Sequence, residues 1–173
     1  MKTIPDLSNA VLELEKRRTS MGREIGTVRV DLAHLEQMRQ EAKSGHFSLV
    51  VDEPAERGGT DMGLHPLGYF IVGAASCFTT QFARNVIIKS AKIDTIEMTA
   101  RAHYDRGKLR RFTEIIYDLR VTGRESKENT IQLLYDSENT CFVHQTLKDT
   151  LPLTTNLSLN GVQITTHTLG PEQ

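Results

Sequence analysis

The chain has 173 residues, with 21 basic and 22 acidic side chains and a formal net charge of -1. That length supports one domain with a sizeable core, and there is no basic surplus of the kind that neutralises nucleic-acid phosphates. No apolar run reaches the roughly 20 residues that span a bilayer, and Met1–Asp6 has no apolar core of the signal-peptide kind, so a cytoplasmic chain is the expectation.

The first expected element is an amphipathic helix from about Asp6 to Arg18. Leu7, Val11 and Leu14 share one stripe, and Pro5 and Asp6 are start signals. Thr27 to Leu32 alternates, with Val28, Val30 and Leu32 on one face, and reads as a strand. His34 to Lys43 fits neither period. Phe47, Leu49 and Val51 mark a second strand, and Glu53 to His65, with Gly58, Gly59 and Gly63, reads as a loop.

A long helix is expected from Pro66, a residue suited to the first turn. Its apolar face would carry Leu67, Phe70, Ile71, Ala74, Cys77 and Phe78, with the small residues Gly73 to Ser76 permitting close approach. Thr95 to Tyr104 and Phe112 to Val121 alternate around the turn residues Asp105 to Lys108. Their core faces would be Ile96, Met98, Ala100, Ala102 and Tyr104, and Ile115, Tyr117, Leu119 and Val121. Ser126 to about Ser137 reads as a helix with Ile131, Leu134 and Tyr135 inward, and a short helix should start near Cys141. Leu153 to Leu159 alternates as a strand, Asn160-Gly161 is a tight-turn signal, and the tail after Thr168 is expected to fray. Strands and helices are segregated, which predicts α+β. The expected organisation is a single domain over residues 1–173, with a helix at about 6–20 as an extension.

The chemistry rests on the two cysteines, Cys77 and Cys141, each on or beside an expected helix. In a reducing compartment such a pair reads as free thiols or a transient disulfide. Each has a plainer reading: Cys77 as a small buried core residue, and Cys141-x-x-His144 as two metal ligands without the other two that zinc needs. Cys141 and His144 could also be a nucleophile and its base, although the helical spacing favours a surface histidine. His46, His65 and His103 have no partner pattern. The Gly58-Gly59 loop does not lead into the lysine and hydroxyl of a phosphate-binding loop.

Two blocks carry a resemblance. The first is Asp52-Glu53-Pro54, Gly58-Gly59-Thr60-Asp61-Met62-Gly63, and His65-Pro66-Leu67 leading to Ala74-Ala75-Ser76-Cys77-Phe78. The second is Cys141-Phe142-Val143 followed by Thr146-Leu147. Together, over roughly residues 27 to 166, the chain resembles the OsmC/Ohr family of osmotically inducible and organic-hydroperoxide-resistance proteins. The resemblance implies antiparallel sheets packed on a long central helix that bears the first cysteine, in an intertwined homodimer with two active sites at the interface. It implies that Cys77 attacks a peroxide and Cys141 resolves the product, that no cofactor is bound, and that an external dithiol supplies electrons.

The family pattern has a glutamate just after the start of the long helix, where this chain has Leu67 and Gly68. That carboxylate holds an arginine over the reactive thiol. Arg39 is the candidate for the arginine, Arg29 the runner-up, and Glu53 the substitute carboxylate. Cys141, near a helix N-terminus, is expected to have a lowered pKa. Phe47, Tyr69, Phe70 and Phe78 could line a pocket for organic peroxides. The alternative is a member that binds a small apolar ligand without catalysis, or a thiol redox sensor.

Overall fold

The computed structural model describes residues 8–20, 22 and 25–171. The chain divides into two compact units, one of residues 8–20 and 73–171 and one of residues up to 72 from the low twenties. The order of elements is α1 (Ser8–Ser20), β1 (Asp31–Glu36), β2 (Arg39–Ser44), β3 (Phe47–Val51), α2 (Pro66–Ile88), β4 (Ile93–Tyr104), β5 (Phe112–Gly123), α3 (Lys127–Thr140), α4 (Phe142–Leu147), β6 (Leu153–Leu159) and β7 (Val162–Leu169). The fold is α+β, as its segregated elements predict. No helix of the described residues is long and apolar enough to cross a membrane.

The smaller unit is an antiparallel meander in the order β1-β2-β3. Its first strand starts later than alternation suggests, at Asp31, and residues 25–30 have no regular structure. The pattern over Thr27 to Leu32 describes a strand only where a partner supplies hydrogen bonds, and Lys43 of β2 is the last to do so, opposite Asp31. The segment that fits neither period, His34 to Lys43, turns out to be a hairpin. Its turn places Gln37 at φ 47, a conformation that a glycine or asparagine would have announced.

After β3 the chain is gathered around Asp52, which is completely buried. Its carboxylate accepts from the Glu53 amide at 2.8 Å, the Thr60 amide at 3.0 Å, the Thr60 hydroxyl at 2.6 Å and the Met62 amide at 3.1 Å. Burial alone would raise its pKa, but these donors to the charged form outweigh burial and hold it at about 2. The loop folds so tightly that a Cβ on Gly59 would lie 1.7 Å from the Glu53 carbonyl oxygen. His65 accepts from the Gly68 amide at 3.2 Å and so caps α2 ahead of Pro66.

The larger unit holds the main core. Its sheet runs β4-β5-β6-β7. β5 and β6 are parallel, which makes this a mixed sheet instead of an antiparallel one. A parallel neighbour requires a crossover, and α3 and α4 supply it. Ile115, Tyr117, Leu119 and Val121 are buried on β5, as alternation predicts, and Leu153 and Leu157 on β6 join them. From the helices come Ala74, Phe78, Phe82 and Val86 of α2 and Leu133 and Leu134 of α3. The inward face of α3 is rotated from the expected Ile131-Leu134-Tyr135 stripe: Thr130, Leu133, Leu134, Ser137 and Glu138 are the buried residues. Three of those five are polar, so hydrophobicity alone misplaces the stripe.

Most polar groups of that face are partnered, Thr130 by the Ser126 carbonyl, although Glu138 Oε1 has no partner among the described residues. Ser126 caps α3 by accepting from the Asn129 amide. The Asn85 side chain of α2 donates to Ser137 Oγ at 3.0 Å, and Glu138 meets His167 Nδ1 of β7 at 2.8 Å. After β6, Asn160 and Gly161 both take positive φ in the expected tight turn. The chain then returns as β7, which carries a bulge at Ile164 and ends at Leu169 opposite Leu153, so strand pairing reaches one residue past Thr168, where fraying is expected. In α1, Leu14 is exposed and Val11 half-buried, while Pro5, Asp6 and Leu7 lie outside the described residues.

The Asp52 loop yields a direct test. Gly59→Ala should cost about 1–3 kcal/mol in urea unfolding, because backbone must move to admit the methyl group. Amide exchange at Thr60 and Met62 should speed up with it. An unchanged midpoint and unchanged exchange would show that the loop has slack.

Candidate functional site

α2 presents its second half to the sheet, burying Ala74 and Phe78 completely or nearly so. Cys77 lies to one side of those two positions around the helix, about 60° from Ala74, and is half-buried. The other cysteine is not within a helix. α3 ends at Thr140, α4 begins at Phe142, and Cys141 between them has an extended backbone with φ -79° and ψ 117°. It is 0 % exposed.

This bend brings the two sulfurs together. Cys141 Sγ lies 3.5 Å from Cys77 Sγ, with Cys141 placed to donate its thiol hydrogen. A disulfide bond is about 2.0 Å long, so bonding needs a closure of about 1.5 Å. Residues 64 positions apart in sequence are thus brought to a sulfur–sulfur distance of 3.5 Å.

Contrary to the expectation from its helix position, Cys141 has its pKa pushed up to about 12. Burial is the dominant cause. The amides of His144 and Val143 favour the thiolate, but they do not overcome desolvation and the neighbouring Cys77 sulfur. Cys141 therefore remains a thiol at neutral pH, and a hydrogen-bond donor towards the more exposed sulfur.

His144 also departs from expectation. It is not a surface residue but 0 % exposed. Its ring stacks on Tyr117 with centroids 5.0 Å apart and meets Phe78 in a tilted contact at 4.3 Å, and Phe78 and Tyr117 are themselves 5.7 Å apart, so the three rings form a triangular cluster. Neither ring nitrogen has a hydrogen-bond partner among the described residues, and neither does the Tyr117 hydroxyl. Burial lowers the His144 pKa to about 4 and raises that of Tyr117. His144 is thus a neutral aromatic plate that fixes α4 against α2 and β5. No group of three histidine, cysteine or acidic side chains that could hold a metal occurs among the described residues.

Cys77 opens onto a shallow depression of about 340 Å³, also lined by Thr80, Gln81, Arg84 and Phe142. Gln81 and Arg84 have no place in the expected site. The signal for them was their spacing: residues four and seven positions beyond Cys77 return to its face of a helix.

Arg39 and Glu53, expected to act together, have separate partners within the smaller unit. Arg39 pairs with Glu36 at 2.5 Å, and Glu53 with Arg57 at 3.5 Å. Arg29, the runner-up, forms an exposed pair with Asp31. Phe78 lies in the core instead of lining an opening, whereas Phe47 and Phe70 are exposed and Tyr69 donates to the Val50 carbonyl at 2.7 Å.

The buried His144 sets a pH dependence. The unfolded chain takes up a proton on this ring near pH 6.5 and the folded chain only near 4, so stability present above pH 6.5 is lost as pH falls towards 4. The loss should be about 3 kcal/mol at most. His144→Phe keeps the stacked ring and removes the proton site, so its urea midpoint should fall less between pH 6.5 and 4. Parallel curves for the two proteins would rule this out.

Comparison with known proteins places this geometry in a family. The family model described as OsmC-like protein matches residues 59–156, which includes both cysteines. Among solved structures, an OsmC-like protein from Mycoplasma pneumoniae is similar with a TM-score of 0.72 and 18% identity, covering 78% of this chain and 97% of its own. An organic hydroperoxide resistance protein OsmC from Legionella pneumophila gives 0.61 and 17%, covering 79% and 98%. An organic hydroperoxide resistance protein from Elizabethkingia anophelis gives 0.63 and 17%, covering 80% and 98%. Comparison with curated proteins gives no match. Two sulfurs in contact across a long helix and a helix junction, inside the matched segment, agree with that assignment: the chain belongs to the OsmC-like protein family.

Proposed function

We propose that this protein reduces organic hydroperoxides through Cys77 and Cys141, in the oxidative-stress role that its hydroperoxide-resistance relatives suggest. The observation that carries the reading is the 3.5 Å contact between a half-buried, accessible sulfur and a buried thiol. Accessibility supports the proposed roles, because Cys77 is half-buried whereas Cys141 is 0 % exposed.

The Cys77 thiolate attacks the terminal oxygen of the hydroperoxide. An S–O bond forms, the O–O bond breaks, and the departing alkoxide takes a proton to become the alcohol. Cys141 then attacks the sulfenic sulfur, forming the disulfide and losing its proton, and the hydroxyl leaves as water. The peroxide has gained the two electrons that the sulfurs lost. An external dithiol restores both thiols by thiol–disulfide exchange. Capture by Cys141 is fast because the sulfur is already adjacent, which protects the sulfenic acid from further oxidation.

Two further parts of the reading rest on less direct support. An intertwined homodimer would cover the apolar side chains that one chain leaves exposed, among them Ile25, Val28, Leu32 and Phe47. Arg39 is the cation that the family resemblance offers for thiolate activation. A second reading, redox sensing or ligand binding without turnover, is favoured by Leu67 and Gly68 standing where the family pattern has a carboxylate.

Cumene hydroperoxide consumption with excess dithiol separates these readings. The parent protein should turn over, and Cys77→Ser should lose at least about 100-fold in rate because the nucleophile is gone. Cys141→Ser should oxidise once, leaving a sulfenic acid that dimedone traps. Arg39→Ala should slow Cys77 oxidation about tenfold if the guanidinium stabilises the thiolate. Disulfide formation without turnover would favour the sensor. Light scattering should give twice the 19.4 kDa chain mass, and a stable monomer at micromolar concentration would remove the dimer from the reading.

A further inference from the structure

Buried side-chain polar atoms that lack a hydrogen-bond partner among the described residues are concentrated in one place. They fall on Tyr117, Glu138, His144, Thr155 and His167, with Arg39 Nε of the smaller unit the one exception. Buried polar atoms are ordinarily satisfied, so packing alone gives no reason for such a cluster. Sheet register sets three of these residues in a row on the core face. Tyr117 of β5 is opposite Thr155 of β6, and Thr155 is opposite His167 of β7. Residues opposite each other on neighbouring strands share a face. Glu138 of α3 covers the row: its Oε2 meets His167 Nδ1 at 2.8 Å, and the Thr155 hydroxyl is beside the same carboxylate.

The row joins the thiol pair to the surface. At one end Tyr117 stacks on His144 and is within electrostatic reach of both Cys77 and Cys141. At the other end Glu138 and the half-buried His167 line a depression of about 300 Å³, with Tyr135, Asn139 and Leu169. The link between Glu138 and Cys141 is short. α3 runs to Thr140 and Cys141 keeps a near-helical φ of -79°, so the Cβ atoms of these residues, three positions apart, are about 5–6 Å from each other. The hydroxyls of Tyr117 and Thr155 can each accept one proton while releasing another.

We infer that Glu138, with His167 as its contact to solvent, is a proton-relay residue that exchanges a proton with Cys141 through the hydroxyls of Tyr117 and Thr155. The need for it arises when the Cys77–Cys141 disulfide opens. Cys141 is 0 % exposed, so its sulfur would be left as an anion without water around it. The thiolate of an external dithiol attacks Cys77, the S–S bond breaks, and its electron pair goes to Cys141 together with the relayed proton from the Glu138 carboxyl. Glu138 recovers a proton from solvent through His167. The dithiol's second sulfur then displaces Cys77 and closes the dithiol's own disulfide. Burial raises the Glu138 pKa against the opposing pull of His167, which favours a carboxyl that holds a proton to give. The inference rests on the two-cysteine reading, but not on a peroxide being the oxidant.

The test starts from full-length protein whose disulfide has been formed with diamide. Its reduction by dithiothreitol is followed by alkylating released thiols and weighing the product, with each rate divided by the thiolate fraction of the reagent. In the parent this corrected rate should fall as pH rises and Glu138 loses its proton. Glu138→Gln keeps the size of the side chain and removes the proton, so the corrected rate should be at least about tenfold lower and flat with pH. Glu138→Asp should restore part of the rate and the slope. The other titratable groups facing this path are His167, His144, Tyr117 and the two cysteines, all present in both variants, while Asp136 on the outer side of α3 is paired with Lys89. An unchanged rate and profile in Glu138→Gln overturns the relay. So does a uniform slowing with the parent's pH profile, which would make Glu138 a support for the bend at Cys141. If cumene hydroperoxide is not consumed but Glu138→Gln still flattens the profile, the peroxidase reading fails and the relay stands. If diamide forms no disulfide, both fail.

Discussion

The site depends on a single packing arrangement, the stack of Phe78, His144 and Tyr117. These rings come from α2, α4 and β5, the three elements that must be held in register for two distant sulfurs to touch. The stack has no hydrogen bond to its imidazole, and its geometry comes from close-packed aromatic faces alone. Desolvation keeps the imidazole neutral, which lets it pack as one face of a three-ring aromatic cluster. Cys141 precedes His144 by three residues, so fixing the ring also fixes the thiol.

Charge is distributed around this stack by burial more than by ion pairs. The same desolvation that silences His144 keeps Cys141 protonated, despite the two amides that point at its sulfur. In the smaller unit the opposite balance holds. Asp52 is as deeply buried, yet four donors make its charged form the favoured one. Both outcomes follow from whether the surrounding backbone supplies enough donors to replace water.

Much of this was legible in the residues, and the exceptions have physical causes. β4 and β5 announce themselves by alternation, with one face of β5 in the core and one face of β4 half-buried. The β1-β2 hairpin does not, because its turn lacks glycine at Gln37 and β1 is exposed throughout, so neither turn chemistry nor alternation marks it. The α3 face is misjudged because Thr130 is satisfied by the Ser126 carbonyl one turn back, and Ser137 and Glu138 by Asn85 and His167, residues far away in sequence. The cysteine pair was visible as two motif blocks, but contact between them is a property of the crossover. His144 looked like a surface residue because nothing local reveals that Phe78 and Tyr117 will enclose it. Gln81 and Arg84 could have been found by counting helical turns from Cys77.

If Cys77 and Cys141 run the proposed cycle, the bend at Cys141 has a consequence for its return half. Once the disulfide has formed, one of its sulfurs faces the opening and the other is enclosed, so an incoming reductant can attack only at Cys77. The group expelled is then the Cys141 thiolate, and a thiolate whose acid form is so weak leaves slowly. In that cycle, the enclosure that keeps the second thiol ready for capture would make recycling the harder step. It would leave the oxidised protein long-lived, with its regeneration sensitive to the nucleophilicity of whatever dithiol enters the groove.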